Sequence, residues 1–415
     1  MRKAVAVLLV LVSLFSFTAC FDMREIDDVL YVLWLGIDKG SNDKWRITIK
    51  YNPMTEDKGG SGGQSSQGQG GGEEAGDYAS VDAPSFFAAV SVLNTIMPRE
   101  ISFAHTQLII FSEEIAKSGN INEYIAPLNR YYELRRSASV YICKGDALDI
   151  IKNNKPQIGK SVTRNFLIMH DVSNDTGMLP KVTLEKFQAG INSKTEQAIA
   201  AIISSNESGY FKEEGDLYTE GVNDEGTFIA GQIPRDAQYK VEVCGTAIFD
   251  GEKLAANLTG EETRYLLMAR GELKNATITL KDPENRKKSV SLKVTLATKP
   301  RIKVKFYNDK PIIDATIMLD AEILSIQGDT PYEQKSYMGY LQETARIQIK
   351  NGIEDLIEKC KKINVDAFGF GQYAKRRFLT IGDMEKYNWN QSFCAAEVFV
   401  HTEVFIRRTG EIIQR

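Results

Sequence analysis

The sequence predicts an α+β fold: three mixed α/β domains, mainly antiparallel sheets each covered by helices. Three observations carry this expectation. Short runs alternate apolar and polar residues with period two and are bounded by Gly, Asn or Asp, the pattern of strands and hairpins. Two segments, near residues 82–97 and 332–363, instead repeat apolar residues every three to four positions, which is helical. In the C-terminal half several strand runs come in succession before the long helix, so antiparallel strands with helices on one face are expected.

Taken in order, the chain opens with Arg2 and Lys3, an apolar run from Ala4 to Phe15 broken only by Ser13, and Phe17-Thr18-Ala19 before Cys20. A positive start, an apolar stretch and small residues make a secretory signal, too short for the ~20 apolar residues of a membrane span. A cysteine directly after the small residues fits a bacterial lipoprotein signal over residues 1–19, with Cys20 receiving a diacylglycerol and becoming the first mature residue. The alternative is an ordinary cleaved signal with an incidental cysteine. Two acyl chains anchor stably where one binds only marginally.

Residues 20–180 are expected to form an N-terminal α+β domain. Val29 to Asp38 and Trp45 to Tyr51 read as a hairpin, with Ile47, Ile49 and Tyr51 on one face. Residues 56–76 are almost wholly Gly, Ser, Gln and Glu and read as a disordered loop. Asp82 is placed as the cap of a helix whose stripe is Phe86, Val90, Leu93 and Met97, with Phe87 alongside. Strands follow at 104–111 and 138–143 and helices at 121–128 and 146–151, and residues 153–180 are loop-rich. A small middle domain is expected over 181–240, with a helix at 183–189 and a strand at 197–204.

The C-terminal α+β domain, 241–415, opens with runs flanking Asp250-Gly251, a two-residue hairpin signal. Strands are expected near 277–280, 290–296, 302–306 and 315–326. The longest helix spans about 332–362, with Tyr337, Leu341, Ala345, Ile349, Ile353, Leu356 and Cys360 on its buried face and Gly352 interrupting it at modest cost. A second helix, 370–377, and a last strand, 397–407, complete the domain.

Composition narrows function. A formal net charge of −4, two units more negative once Arg2 and Lys3 leave, makes nucleic acid a poor partner. The basic groups Arg286-Lys287-Lys288, Lys375-Arg376-Arg377 and Arg407-Arg408 read as solvated faces. Cys143, Cys244, Cys360 and Cys394 read as free thiols, although export permits a disulfide. His105, His170 and His401 lack metal-ligand spacing, so no metal site is expected. Gly369-Phe370-Gly371-Gln372-Tyr373-Ala374 fits G-x-G-x-x-A, but no strand feeds it, and a helix-to-helix turn is the better account. No nucleophile elbow, phosphate loop or H-E-x-x-H occurs, and carboxylates such as Glu25, Asp27, Asp28, Glu113, Glu114, Glu261 and Glu262 select no catalytic pair. No catalytic or cofactor-binding residue is assigned.

Several segments resemble the Ger(x)C family, the C subunits of spore nutrient germinant receptors. They run from Cys20 to Asp28, Leu35 to Gly40 and Arg99 to Gln107, with Leu134-Arg135-Arg136 and Lys144-Gly145-Asp146-Ala147. Further matches are Gly245 to Phe249, Leu258 to Arg264, Asp366 to Gly371 and Arg407 to Gly410. The resemblance implies three α+β domains without enzymatic activity or cofactor, anchored through Cys20 to the outer face of the spore inner membrane. It implies integral-membrane A and B subunits as partners, and a task in nutrient-triggered germination. Two rivals are an extracytoplasmic solute-binding lipoprotein that presents small molecules to a transporter and a lipid-anchored wall hydrolase. The first would need two similar lobes around a cleft, and the second a recognisable carboxylate pair or metal cluster.

Overall fold

An apolar run followed by an alternating one produces the expected hairpin: Val29–Lys39 (β1) pairs antiparallel with Trp45–Tyr51 (β2), Ile37 opposite Ile47. The structure is a computed structural model and describes residues 28–51, 78–154, 168–173, 175–206, 226–332 and 334–408. The signal at 1–19, Cys20 and the loop at 56–76 lie outside the described residues.

Around that hairpin grows a nine-stranded sheet. Tyr78–Ala83 (β3) flanks β2, and Glu100–Ser102 (β4) lies beside the first residues of β1. On the other side of β1 come Leu108–Ser112 (β5), Ser139–Cys143 (β6) and Ile199–Ser205 (β7), all parallel to it. Val241–Asp250 (β8) and Lys253–Leu258 (β9) then add antiparallel, giving the order β3-β2-β1-β5-β6-β7-β8-β9. Parallel strands are normally covered on both faces and read as continuous apolar runs. Accordingly Ile109 and Phe111 of β5 enter one core and Leu108 and Ile110 the other. Phe86–Ile96 (α1), Ile121–Arg130 (α3) and Leu184–Asn192 (α5) fill the first core. The short Glu113–Ser118 (α2) joins them, and Ala147–Asn153 (α4) covers the second face.

A second sheet holds Ala276–Lys281 (β10), Ser289–Leu296 (β11), Arg301–Tyr307 (β12), Lys310–Ile326 (β13) and Glu397–Arg408 (β14). The long β13 pairs antiparallel with β11 and β12 along one edge and parallel with β14 along the other. Lys335–Lys362 (α7) lies on one face and buries Leu341, Ala345, Ile349, Ile353, Leu356 and Cys360, each contributing on the order of 1.5–3 kcal/mol where a large side chain is involved. Between the two sheets runs Gly260–Arg270 (α6), buried on almost every side, with Leu266, Leu267 and Met268 fully enclosed. A Cβ at Gly352 of α7 would sit 2.3 Å from the Tyr265 ring of α6, so this glycine is required by close approach rather than merely tolerated.

The α+β class and the preponderance of antiparallel pairs match the sequence expectation, while several details differ. The described residues between 181 and 240 build no sheet of their own: β7 lies within the first sheet, and β8–β9 complete that sheet rather than opening a C-terminal one. The boundaries expected at 180 and 240 therefore cut across one hydrogen-bonded layer, because strand pairing between distant segments leaves no local trace. Asp82 is still in β3 and binds Arg46 through Nε at 2.8 Å; Ser85 caps α1 instead, accepting from the Ala88 N–H. Phe87 is 47% exposed and Tyr337 36%, so neither joins its expected stripe. Beyond α7, Gly371–Ala374 (α8), Ile381–Tyr387 (α9) and Trp389–Cys394 (α10) form three short helices, with a 3-10 turn at Lys375–Arg377 where one helix was expected.

Candidate functional site

Five of the nine segments that stood out in the sequence gather at three packing joints. In the first, Leu35 to Gly40 meets Lys144 to Ala147. The Asp38 carboxylate accepts the Ala147 and Leu148 N–H groups at 2.6 and 3.0 Å, at the N-terminus of α4. At the other end of α4, Lys50 donates to the Ile151 and Asn154 carbonyls at 3.0 and 2.5 Å, with its ammonium 5.3 Å from the Trp34 ring centroid. One hairpin thus supplies an anion to the positive end of a helix and a cation to its negative end. Gly36 lets the helix approach, since a Cβ there would lie 2.7 Å from Ile151 Cδ1.

Both charges are costly to bury. Burial pushes Asp38 up to about 6, against the two backbone N–H groups that favour its ionised form, with Asp146 raising and Arg46 lowering it further. Burial pulls Lys50 down to about 8. Asp38 in the folded chain binds its proton more tightly than in the unfolded chain, so its stabilising contribution is complete below about pH 4 and lost as pH rises through 6. Asp38→Asn should flatten the stability of the folded chain between pH 4 and 7 by on the order of 2 kcal/mol relative to the parent. Denaturant midpoints across that range check it, and parallel pH profiles for the two proteins would reject it.

The second joint packs Gly245 to Phe249 against Leu258 to Arg264. Thr259 and Glu262 form a reciprocal capping box at the start of α6, and Glu262 also binds Lys359 of α7 at 2.6 Å. Gly245, at φ +95°, would place a Cβ 2.4 Å from the Leu258 carbonyl. Glu261 and Glu262 are thus first-turn acids, as expected.

The third joint is the most polar and lies between the sheets. Asp366 is fully buried; its Oδ2 accepts the Gly371 N–H at 2.8 Å and the Trp389 indole N–H at 2.7 Å. Burial raises its pKa, opposed by those two donors. Arg270, at the end of α6, donates to the Ala367 carbonyl at 2.7 Å and to Glu196 at 2.9 Å, and Gln372 donates to the same Glu196 carboxylate. Gly369 takes φ +73°, and a Cβ at Gly371 would fall 2.3 Å from the Thr195 carbonyl. Residues 363–370 come straight from α7, so the G-x-G-x-x-A segment is a helix-to-helix turn with no strand before it. Beside Arg270 is a cleft of about 180 Å³ lined by Lys181, Lys186, Glu196 and Glu272.

None of the other candidates converges on a reactive centre. Among the described residues, no group of three His, Cys, Asp or Glu could hold a metal ion. His105 packs edge-on against Tyr31, His170 is buried against the Tyr141 hydroxyl, and His401 lies exposed on β14. Burial raises Cys244 to about 11 and Cys360 to about 12, and raises Cys143 as well; these and Cys394 are free thiols. Arg377 stacks on Phe306 and binds Asp309 at 2.8 Å, and Arg407 binds Asp320 at 3.0 Å. Lys50, Glu196 and Arg270 were missed in the sequence, where nothing separates a buried charge from a solvated one. Cys20, Glu25 and Asp27 lie outside the described residues.

Comparison with known proteins gives two family matches in succession. The family described as spore germination protein N-terminal domain matches residues 22–205, and that described as spore germination B3/GerAC like, C-terminal, matches residues 244–410. Among curated proteins, spore germination protein KC of Bacillus subtilis (strain 168) is 23% identical, over 99% of this chain and 96% of that protein. Spore germination protein B3 of the same organism is 19% identical, over 92% and 91%. Among solved structures, the GerBC protein shares the fold at a TM-score of 0.51 and 15% identity, covering 90% of this chain and 96% of that one.

Proposed function

The chain belongs to the spore germination B3/GerAC-like family, and from that premise we propose that it is the lipid-anchored, non-enzymatic C subunit of a spore nutrient germinant receptor. In this reading it assembles with integral-membrane A and B subunits on the outer face of the spore inner membrane. The observation that carries it is the succession of both family segments along nearly the whole described chain, which aligns with its relatives over almost their full length. Supporting it, the motif residues serve packing joints rather than a reactive centre. No helix among the described residues is long and apolar enough to cross a membrane; in this reading attachment is through Cys20. The diacylglycerol keeps the folded domains near the bilayer and raises their effective concentration toward membrane partners. The cleft beside Arg270, at about 180 Å³, is smaller than the roughly 300–1,000 Å³ of small-molecule sites, which weighs against a solute-binding protein using it.

The test is dipicolinate release from spores after nutrient addition, comparing the intact gene, its deletion and Cys20→Ala, with a nutrient-independent trigger as control. Deletion should abolish the nutrient response alone, and Cys20→Ala should impair it. An unchanged response in spores lacking every other receptor would sink the reading.

A further inference from the structure

We propose that the end of the first sheet where β1 begins is a lipid-docking face that seats the protein on an anionic bilayer surface. The inference rests on the Cys20 anchor, and it adds which face of the fold meets the membrane. Val29, where β1 begins, follows Cys20 by nine positions, so the anchor can lie no further than about 32 Å from the start of β1. That start is fixed in the fold: Val29, Leu30 and Tyr31 pair with Glu100, Ile101 and Ser102 of β4. The turn after α3 joins the same end, because Glu133 accepts the Ser102 hydroxyl and the Phe103 N–H at 3.0 and 3.1 Å.

Around this end the surface is amphipathic. Tyr132 is 85% exposed and Ile96 58%, with Val92 and Phe87 less so, although α1 otherwise buries its apolar residues. Tyr131 is ringed by Phe86, Phe87, Phe103 and Tyr132 at centroid distances of 5.6–5.8 Å, so this aromatic patch is rigid. Arg130, Arg135 and Arg136 are exposed here and make no ion pair among the described residues. Acids are present too, but Glu133 is committed to the backbone and hydroxyl just named. Leu134-Arg135-Arg136 is also a sequence motif, and its two arginine side chains serve none of the three packing joints. Tyrosine at headgroup depth, apolar tips below it and arginines toward lipid phosphates are what a bilayer surface recognises.

All three native tryptophans, Trp34, Trp45 and Trp389, are buried, and the parent chain's emission in the same vesicles is subtracted to leave that of the introduced one. The lipidated full chain carrying Tyr132→Trp is reconstituted in phosphatidylcholine–phosphatidylglycerol vesicles brominated on the acyl chains. A second chain carries Leu379→Trp, at a 98% exposed position on the second sheet's side of the fold. Emission at 132 should be lost to bromine and emission at 379 retained. Bound protein with undimmed emission at 132 overturns the proposal while leaving the anchor intact, and makes a protein partner the occupant of the face. Should the full chain fail to bind vesicles, the anchor reading falls, and unlipidated Cys20→Ser protein then decides the face by its own partition. That partition should favour anionic over neutral vesicles and drop about tenfold or more in Arg135→Glu/Arg136→Glu. Equal partition in the two variants overturns the proposal.

Discussion

Arg270→Ala should lower the stability of the folded chain by about 3 kcal/mol, read as a shift in the denaturant midpoint. The side chain is 11% exposed, and its guanidinium serves three elements at once: Glu196 before β7, the Ala367 carbonyl after α7, and Glu272 beyond α6. Truncation leaves the Ala367 carbonyl without its donor and removes the cation from Glu196, which is itself 28% exposed, so the loss comes mainly from the buried guanidinium's bridging bonds. Arg270→Lys should recover only part of the loss, since one ammonium cannot reach both the carbonyl and the carboxylate in fork geometry. A variant within about 0.5 kcal/mol of the parent, the range of ordinary surface substitutions, would show that the joint is not held this way.

Separating the two family segments should be more damaging still. A fragment covering 22–205 ends on β7, whose outer edge is paired in the intact chain by β8 from Ile199↔Ile248 to Ser205↔Val241. All of β8 except Asp250 is buried. Each fragment therefore exposes a long apolar strand edge, a template for aggregation. Expressed singly, 22–205 and 244–410 should be insoluble or lack a cooperative unfolding transition; co-expressed, they should recover at least partial solubility by re-forming the part of the ladder that pairs Ile199 to Ala201 with Thr246 to Ile248. A fragment 22–205 that unfolds cooperatively on its own would refute this.

How much of this could be read from the sequence depended on whether the signal was local. The hairpin at Asp250-Gly251 and the long helix announced themselves through turn chemistry and periodicity. The membership of β7, β8 and β9 in the first sheet did not, because a strand's neighbours are chosen by pairing across tens of residues. The alternation of β2 was equally uninformative: Thr48 and Lys50 alternate with the apolar Ile47, Ile49 and Tyr51, yet both are buried, since α4 covers that side. Glycines told a similar story. Propensity makes Gly352 a defect, whereas packing makes it a necessity, and only the position of Tyr265 decides between them. Of the candidate site, the motifs were visible but their purpose was not, because Arg270 and Glu196 sit 74 positions apart and carry no pattern between them.

The Tyr265 ring seated at Gly352 also acts as a registration key. Sliding α7 past α6 by one residue would bring Asn351 or Ile353 to the slot, and a side chain cannot share that space with the ring. Axial sliding is thus locked at this contact, and the turn at Gly371, pressed against the Thr195 carbonyl, pins a second point. Glu262 held by Lys359 and the Ala367 carbonyl held by Arg270 add two more ties along α6, so the contacts between the sheets are spread over its whole length rather than gathered at one hinge.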